Sequence, residues 1–112
     1  MRFPRSNRLT SDGEIRRVQR EGKLVRTKAL SVRMAASPHS RMRVGLIVPR
    51  YGHTAVARNR LKRQLREIVR VELLPEGRPE DIVIRAANPA YGLSFAQLRA
   101  QVLELVGRAR AG

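Results

Sequence analysis

Residues 57–70 read ARNRLKRQLREIVR and combine a helical pattern of apolar residues with an excess of positive charge. Six of these side chains are basic, and only Glu67 is acidic. At about 100° per residue the apolar positions share one side of a helix: Leu61, Leu65, Ile68 and Val69. Beside them runs a row of cations at i, i+4 spacing, which Asn59 and Arg63 widen into a face: Arg58, Lys62, Arg66 and Arg70. The stretch therefore predicts a helix that packs on a core and presents a cationic surface.

This cationic surface weakens the isolated helix, because like charges at i, i+4 repel by a few tenths of a kcal/mol per pair. The whole chain of 112 residues has 24 basic and 9 acidic side chains, a formal charge of +15. Residues 71–112 carry equal numbers of both signs, so the excess lies in residues 1–70. Most of the cations are arginines, whose planar fork matches phosphate oxygens. Phosphates of a nucleic acid would supply the missing anions and release counterions on binding.

The segment before the basic helix predicts a helix and several strands. Ser11 and Glu14 have the spacing of a capping box for a helix over 12–21 that ends at Gly22. Alternating apolar residues predict strands within 24–34 and 41–48. If the interruption at 26–28 splits the first segment, it forms two strands, and if it does not, the fold has one strand fewer. Thr54 is a candidate N-cap for the basic helix, which is expected to end near residue 74, before Pro75.

The segment after the basic helix predicts one buried strand over 81–85 and a last helix. Ser94 and Gln97 form a second capping box, and Phe95 shares helical spacing with core-type apolar residues. The predicted order is α-β-β-β-α-β-α in a single α+β domain over residues 11–108. Residues 1–10 are predicted to be a flexible basic arm without core residues, and residues 109–112 a tail.

Several classes of site and location are disfavoured by the composition. The chain has no cysteine and no apolar run long enough to cross a membrane, so we expect a soluble cytoplasmic protein. His39 and His53 stand alone in loops, and the carboxylates lack metal-ligand spacing. No nucleophile and base are paired in the sequence. We therefore predict no catalytic residue and no metal ligand in the chain.

Two motifs carry a resemblance to a known family. Arg43-Val44-Gly45, followed by Ala55-Val56-x-Arg58-Asn59-Arg60-x-Lys62-Arg63-x-x-Arg66-Glu67, resembles the signature of the bacterial ribonuclease P protein subunit. The resemblance covers nearly the whole chain. It implies an α-β-β-β-α-β-α sandwich with a central, mostly antiparallel sheet and a left-handed crossover through the basic helix. The second domain of ribosomal protein S5 has the same fold class.

The resemblance also implies a function as a subunit of a ribonucleoprotein enzyme. The protein would bind the catalytic RNA subunit and the 5′ leader of precursor tRNA, and would assist the RNA in removing that leader. Magnesium would be held mainly by RNA and not tightly by the protein, which alone would be non-catalytic. No membrane and no obligate protein partner are implied. The positions matched to RNA binding, with one added on the same helix, are Arg58, Asn59, Arg60, Lys62, Arg63, Arg66 and Arg70.

Further arginines are candidate contacts for the leader or the tRNA: Arg16, Arg17, Arg33, Arg43 and Arg50. The chain departs from the family pattern, since no aromatic residue stands at or near Ile15, Gln19 or Arg33, where relatives use aromatic side chains to line the leader cleft. Leader binding should then rely on ionic contacts and depend more steeply on salt. Gly52 also lies one residue further from Ala55-Val56 than in relatives.

Two other functions remain open at this stage. A structural protein that binds ribosomal RNA would share the size and charge of this chain. A reader of duplex DNA is less compatible, because a strand and a loop precede the basic helix where a helix-turn-helix has its first helix. Tyr51, in the loop before the basic helix, fits an RNA-stacking role and a plain surface position equally well.

Overall fold

A computed structural model describes residues 3–111 of the chain, so predictions that fall on residues 1, 2 and 112 lie outside the described residues. Its strands form one four-stranded sheet in the order β1-β2-β4-β3. β1 pairs with β2 and β2 with β4 in antiparallel fashion, whereas β3 and β4 are parallel. The strands are β1 Lys23–Arg26, β2 Leu30–Ala36, β3 Arg43–Ile47 and β4 Glu80–Ala86. The helices are α1 Asp12–Glu21, α2 Ala55–Ile68 and α3 Phe95–Ala111.

This architecture confirms the predicted α-β-β-β-α-β-α order and the mostly antiparallel sheet. The split of the first strand segment is confirmed too, with Thr27 Oγ1 accepting a hydrogen bond from the Leu30 amide at the bend. The parallel pair β3 and β4 is connected through α2, as a crossover requires. The left hand of that crossover stays a prediction from the family resemblance.

The sheet separates two cores because successive side chains on a strand point to opposite faces. One face, with Val32, Val44 and Ile84, packs against α2 and α3 in the larger apolar core. The other face packs around Val83 with Leu9 and with Val18 of α1 in a smaller core. α1 therefore lies on one side of the sheet, and α2 with α3 lies on the other.

Two of the three predicted helix starts have the expected hydrogen bonds. Thr54 Oγ1 accepts from the Ala57 amide at 3.1 Å and caps α2. Ser94 and Gln97 exchange both bonds of a capping box, at 2.9 and 3.1 Å. The capping box predicted for α1 is wrong, since the Ser11 side chain makes no cap bond. Glu14 is drawn away because its carboxylate forms an ion pair with Arg43.

α2 changes its winding at its C-terminal end. The α-helix stops at Ile68, and a π-helical turn Val69–Leu73 and a 3-10 turn Leu74–Glu76 follow. The wider turn keeps both Val69 and Leu73 buried against the larger core. Gly77 ends the segment with φ of 64°, a conformation that glycine adopts without steric cost.

The N-terminal segment is part of the fold, so the prediction of an arm without core residues is wrong for residues 3–10. Phe3 and Leu9 are 7% and 2% exposed, and the Leu9 amide donates to the Val44 carbonyl at 3.0 Å. Gly45 makes this approach possible, because a Cβ there would lie 2.8 Å from the Leu9 carbonyl oxygen. Spacing alone did not reveal these contacts, since two isolated apolar residues have no period.

The predicted tail is likewise corrected for residues 109–111, which are the last turn of α3. Ala109 is buried. Arg110 bridges the carboxylates of Glu76 and Glu80, with nitrogen–oxygen distances of 3.1 and 2.8 Å. These partners lie more than twenty residues away along the chain, so local sequence could not assign them.

Candidate RNA interface

The exposed cations of α2 form a continuous surface, which we call the α2 ridge and define by Arg60, Lys62, Arg63 and Arg66 with Asn59. Thr54 caps the helix, and Leu61, Leu65 and Ile68 fix its rotation by burial in the larger core. Within residues 3–111, the three ridge arginines make no ion pair with a carboxylate. The ridge is therefore a local excess of positive charge, as the sequence predicted.

Lys62 is the ridge cation that is most affected by its surroundings. It is half-buried between the neighbours Arg58 and Arg66 on the same row. Burial lowers its pKa below the ordinary 10.5, and the positive charges of Arg66 and Arg58 lower it further. A phosphate placed here would reverse this effect, because an anion favours the charged ammonium.

Two cations of the predicted i, i+4 row, Arg58 and Arg70, form contacts inside the protein. Arg58 donates from Nε to the Val48 carbonyl at 2.8 Å, which holds the start of α2 against the end of β3. Arg70 donates from Nε and Nη2 to the two carboxylate oxygens of Glu67, at 3.0 and 2.7 Å. This pair raises the pKa of Arg70 and lowers that of Glu67. The positive charge of the row is therefore partly neutralised at Arg70, because its guanidinium already binds a carboxylate.

Sequence reasoning missed Arg8, which extends the cationic surface beyond α2. Its guanidinium lies 5.9 Å from the centre of the Phe3 ring and donates to the Phe3 carbonyl. It borders two grooves, one shared with Lys62 and Arg66 and one shared with Arg63. The signal in the sequence is weak, because Arg8 gains its position only once Phe3 and Leu9 are known to be buried.

The leader candidates Arg17 and Arg43 lie in an ion-pair cluster between α1 and the sheet, with Asp81 at its centre. Asp81 is completely buried and accepts from Arg43 at 2.9 and 2.6 Å and also from Arg17. The hydrogen bond with Asp81 raises the pKa of Arg43 despite burial, and Glu14 adds to the rise. Arg43 is 5% exposed, so the structure corrects its assignment as a surface contact to a structural one.

The other leader candidates lie apart from one another. Arg16 is exposed on α1, and Arg50 donates to the His53 carbonyl at 3.3 Å in the loop before α2. Arg33 points to the α1 side of the sheet and donates to the Gln19 carbonyl at 2.6 Å. Arg85 of β4 is exposed on the same face of the sheet as Arg33 and pairs in register with Ser31 of β2. The sequence analysis did not single out Arg85, although its alternation with the buried Ile84 places it on this face.

The aromatic residues are distributed differently from the prediction. Phe95, expected in the core, is 41% exposed at the start of α3, whereas Phe3 is buried. Tyr51 is 46% exposed and has a φ of 51°, and its hydroxyl donates to the Ala86 carbonyl at 3.3 Å. His53 stacks on Tyr91 with ring centres 3.8 Å apart and contacts Asn88, so it is not isolated.

The acidic side chains of the protein are dispersed or paired with arginines. Within residues 3–111 no three or more histidine, aspartate or glutamate side chains converge on one point. Asp81, Glu76 and Glu80 are instead bound by arginines. These residues therefore do not fit a magnesium site formed by protein alone. No helix among the described residues is long and apolar enough to cross a membrane.

The ribonuclease P family model matches residues 3–110 of the chain. The chain belongs to the ribonuclease P protein family. Among similar proteins is the ribonuclease P protein component of an Exiguobacterium species, which is 35% identical over 103 residues, covering 92% of this chain and 90% of the relative. The component of a Roseiflexus species is 36% identical over 107 residues, covering 94% and 87%.

Solved structures of ribonuclease P proteins share the fold. The Thermotoga maritima protein aligns with a TM-score of 0.79 at 27% identity, covering 90% of this chain and 96% of the other. A Staphylococcus aureus ribonuclease P protein mutant aligns with a TM-score of 0.86 at 22% identity, covering 94% and 89%. Family and fold together confirm the resemblance drawn from the sequence and do not favour the alternative of a structural ribosomal RNA binder.

Proposed function

We propose that this chain is the protein subunit of ribonuclease P and binds the RNA subunit of that enzyme through the α2 ridge. The observation that carries the proposal is the ridge itself, in which Arg60, Arg63 and Arg66 have no carboxylate partner within residues 3–111. Phosphates of a folded RNA would neutralise these charges and release counterions. Arg8, from the N-terminal segment, would add a further phosphate contact beside Lys62.

Removal of the 5′ leader from precursor tRNA is the reaction that the subunit would assist. The leader would lie on the sheet face that α1 covers only partly, near Arg16, Arg33 and Arg85. Because Ile15 and Gln19 offer no aromatic plane, arginine forks would hold the leader phosphates instead of stacking its bases. Leader affinity should therefore fall more steeply with salt than in relatives with aromatic residues there.

The protein alone is proposed to be non-catalytic, with magnesium held by phosphates of the RNA. Two features support this division of labour: the carboxylate of Glu67 beside the ridge is bound by Arg70, and the charged side chains of the ridge are all cations. Cations on the protein would draw RNA phosphates together and so lower the magnesium concentration that the holoenzyme needs. The protein would contribute binding and charge, and the RNA would carry the bond cleavage.

The experiment that tests this function measures 5′ cleavage of precursor tRNA by the RNA subunit with and without the chain, at limiting magnesium. Acceleration by the wild-type chain is expected, together with no cleavage by the chain alone. Arg63→Glu with Arg66→Glu should abolish the acceleration and the binding of the RNA subunit. Arg78→Glu with Arg108→Glu makes the same charge change at exposed sites away from the ridge and should leave both intact.

Two results would overturn the proposal. One is equal affinity of the wild-type chain for the RNA subunit and for ribosomal RNA of the same length. The other is full assembly and acceleration by the variant with both ridge reversals. Urea unfolding of each variant checks that the fold is retained, and little change is expected because both ridge side chains are exposed.

A further inference from the structure

Phe95 is a large apolar side chain that the fold leaves in water. It is the first residue of α3 and 41% exposed, although Leu98 and Val102 on the following turns are fully buried. A single exposed apolar side chain does not by itself indicate a partner, so the groups around Phe95 decide whether it has a role. Phe95 is also one of only two phenylalanines in a chain with no tryptophan, so an aromatic plane at this surface is a rare feature here.

The ring borders a groove of about 580 Å³ that runs along the α2 ridge. The groove combines aromatic, amide and cationic groups, because it is lined by Phe95, Phe3, Gln64, Arg8, Arg63 and Arg66. Phe3 is 7% exposed with the Arg8 guanidinium near its ring, so Phe95 supplies the aromatic face that is open to a ligand. Among residues 3–111, Glu67 is the one carboxylate that lines this groove, and Arg70 binds it in a bidentate pair.

We propose that this groove binds an unpaired nucleotide of the RNA subunit, with its base stacked on Phe95 and its phosphate bound by Arg63 and Arg66. This inference rests on the proposed function and adds a base-stacking site to it. Charge selects the occupant, because an apolar peptide or a cationic partner would leave the arginine forks without anions. A nucleotide satisfies both parts of the groove, and the Gln64 amide offers a donor and an acceptor to the base edge.

The layers of the fold favour the RNA subunit over the leader as the source of this nucleotide. Phe95 lies with α2 and α3 on one side of the sheet, whereas α1 and the face that carries Arg33 and Arg85 lie on the other. RNA seated on the ridge reaches Phe95 directly. A leader held near Arg33 would have to pass around the edge of the sheet to reach it.

The first test measures the affinity of Phe95→Ala for the RNA subunit over a range of salt concentrations. A loss on the order of tenfold is expected, since stacking contributes about 1–3 kcal/mol per base. The slope of log affinity against log salt should stay unchanged, because no cation is removed. Val71→Ala, a truncation at a residue 48% exposed outside the groove, should leave affinity unchanged.

A second pair of variants separates stacking from simple apolar contact. Phe95→Tyr keeps an aromatic plane and should bind like the wild type, whereas Phe95→Leu keeps apolar area and should bind almost as weakly as the alanine variant. Wild-type affinity of Phe95→Ala or Phe95→Leu would overturn the inference. A shallower salt slope for Phe95→Ala would also overturn it, because the ring would then act by holding the arginines.

A photo-crosslinker at position 95 identifies the source of the nucleotide in the assembled holoenzyme with precursor tRNA. Crosslinks to unpaired nucleotides of the RNA subunit are expected, and crosslinks only to the leader would overturn the assignment. Failure of the proposed function looks different, because the wild-type chain itself would then show no preference for the RNA subunit. An unaffected Phe95→Ala with a specific wild type removes only this stacking site.

Discussion

Arginines have opposite roles on the two sides of the sheet. Under α1, Arg17 and Arg43 converge on the buried carboxylate of Asp81, and Glu14 adds a second anion to Arg43. On α2, Arg63 and Arg66 are exposed and have no carboxylate partner within residues 3–111. The first pair holds α1 to the sheet, and the second pair is left for an external anion. Residue type alone therefore does not predict which arginines are available to an external anion, and the positions of the carboxylates must be known as well.

The contrast follows from where burial places each group. A buried charge costs several kcal/mol in lost hydration unless partners surround it, so the fold gives Arg43 two anions and Asp81 two cations. An exposed arginine keeps its hydration, and repulsion along the ridge costs only a few tenths of a kcal/mol per pair. The protein can therefore maintain an unneutralised ridge at small cost to stability while the charge under α1 must be balanced.

Removing the central anion breaks the paired side of this comparison and should have the largest effect. Asp81→Asn leaves Arg17 and Arg43 facing each other without a carboxylate between them. We expect the free energy of unfolding to fall by about 3–5 kcal/mol. Urea denaturation at neutral pH measures it. Glu104→Gln, which removes one partner of an exposed pair with Arg108 at 3.9 Å, should cost less than about 0.5 kcal/mol.

A small effect of Asp81→Asn would mean that α1 is held by its apolar contacts and that the ion pairs are incidental. Val18 is the only fully buried residue of α1, which makes this outcome unexpected. Binding of the RNA subunit by whatever fraction stays folded should be unchanged, because the ridge lies on the other face of the sheet. Loss of binding in the folded fraction would contradict the separation of the two arginine sets.

The sequence predicted the periodic parts of this fold well and the non-local parts poorly. The helices, the split strand and the ridge were visible because apolar residues recur at fixed spacing. Leu9 could not be placed, since its close approach to the sheet depends on Gly45, more than thirty residues away. Arg43 was mistaken for a surface cation because its partner Asp81 comes from another strand. Phe95 was mistaken for core because a period cannot show where the core ends.

Arg8 extends the cationic surface beyond the α2 ridge, and the position of Arg8 depends on Gly45. Gly45→Ala puts a methyl group 2.8 Å from the Leu9 carbonyl oxygen, so the N-terminal segment must move away. We expect a loss of about 1–3 kcal/mol in stability and a weaker affinity for the RNA subunit. Arg8→Ala serves as the control, since it should reproduce the loss of affinity with a smaller loss of stability, limited to its contacts with Phe3. Unchanged stability of Gly45→Ala would show that this segment docks loosely.

The pH dependence of affinity for the RNA subunit tests the role of Lys62 on the unneutralised α2 ridge. Its pKa lies below 10.5 in the free protein, and RNA phosphates should raise it, so binding takes up a proton in the range between the two values. Affinity for the RNA subunit should therefore fall as pH rises above the lowered pKa of Lys62, by at most about tenfold per pH unit. The stability of the free chain changes with pH in the opposite direction. Its free energy of unfolding should rise between the lowered pKa of Lys62 and the ordinary 10.5, because deprotonation removes a half-buried charge that is repelled by Arg66 and Arg58.

Lys62→Arg provides the comparison, because an arginine stays charged throughout this range. The affinity of Lys62→Arg should stay constant over the same pH range. That range is kept below the ordinary tyrosine pKa of about 10 so that tyrosines do not titrate. Identical pH profiles for the two proteins would show that Lys62 contributes no proton-linked contact. If the affinity of both proteins is independent of pH but depends strongly on salt, the RNA phosphates bind the arginines alone.

Glu67 determines whether Arg70 is paired inside the protein or free to bind an external anion. Its removal should have the smallest effect of the variants considered. Glu67→Gln releases Arg70 from its bidentate pair, which returns a cation to the surface beside Arg66. Affinity for the RNA subunit should rise about two- to fivefold, and the salt slope should steepen by about 0.7–0.9 if Arg70 gains a phosphate. Glu104→Gln makes the same charge change on α3 and should leave the slope unaltered. An unchanged slope for Glu67→Gln would assign Arg70 to the structural arginines, together with Arg17 and Arg43, because a released fork beside a bound RNA would otherwise take an anion.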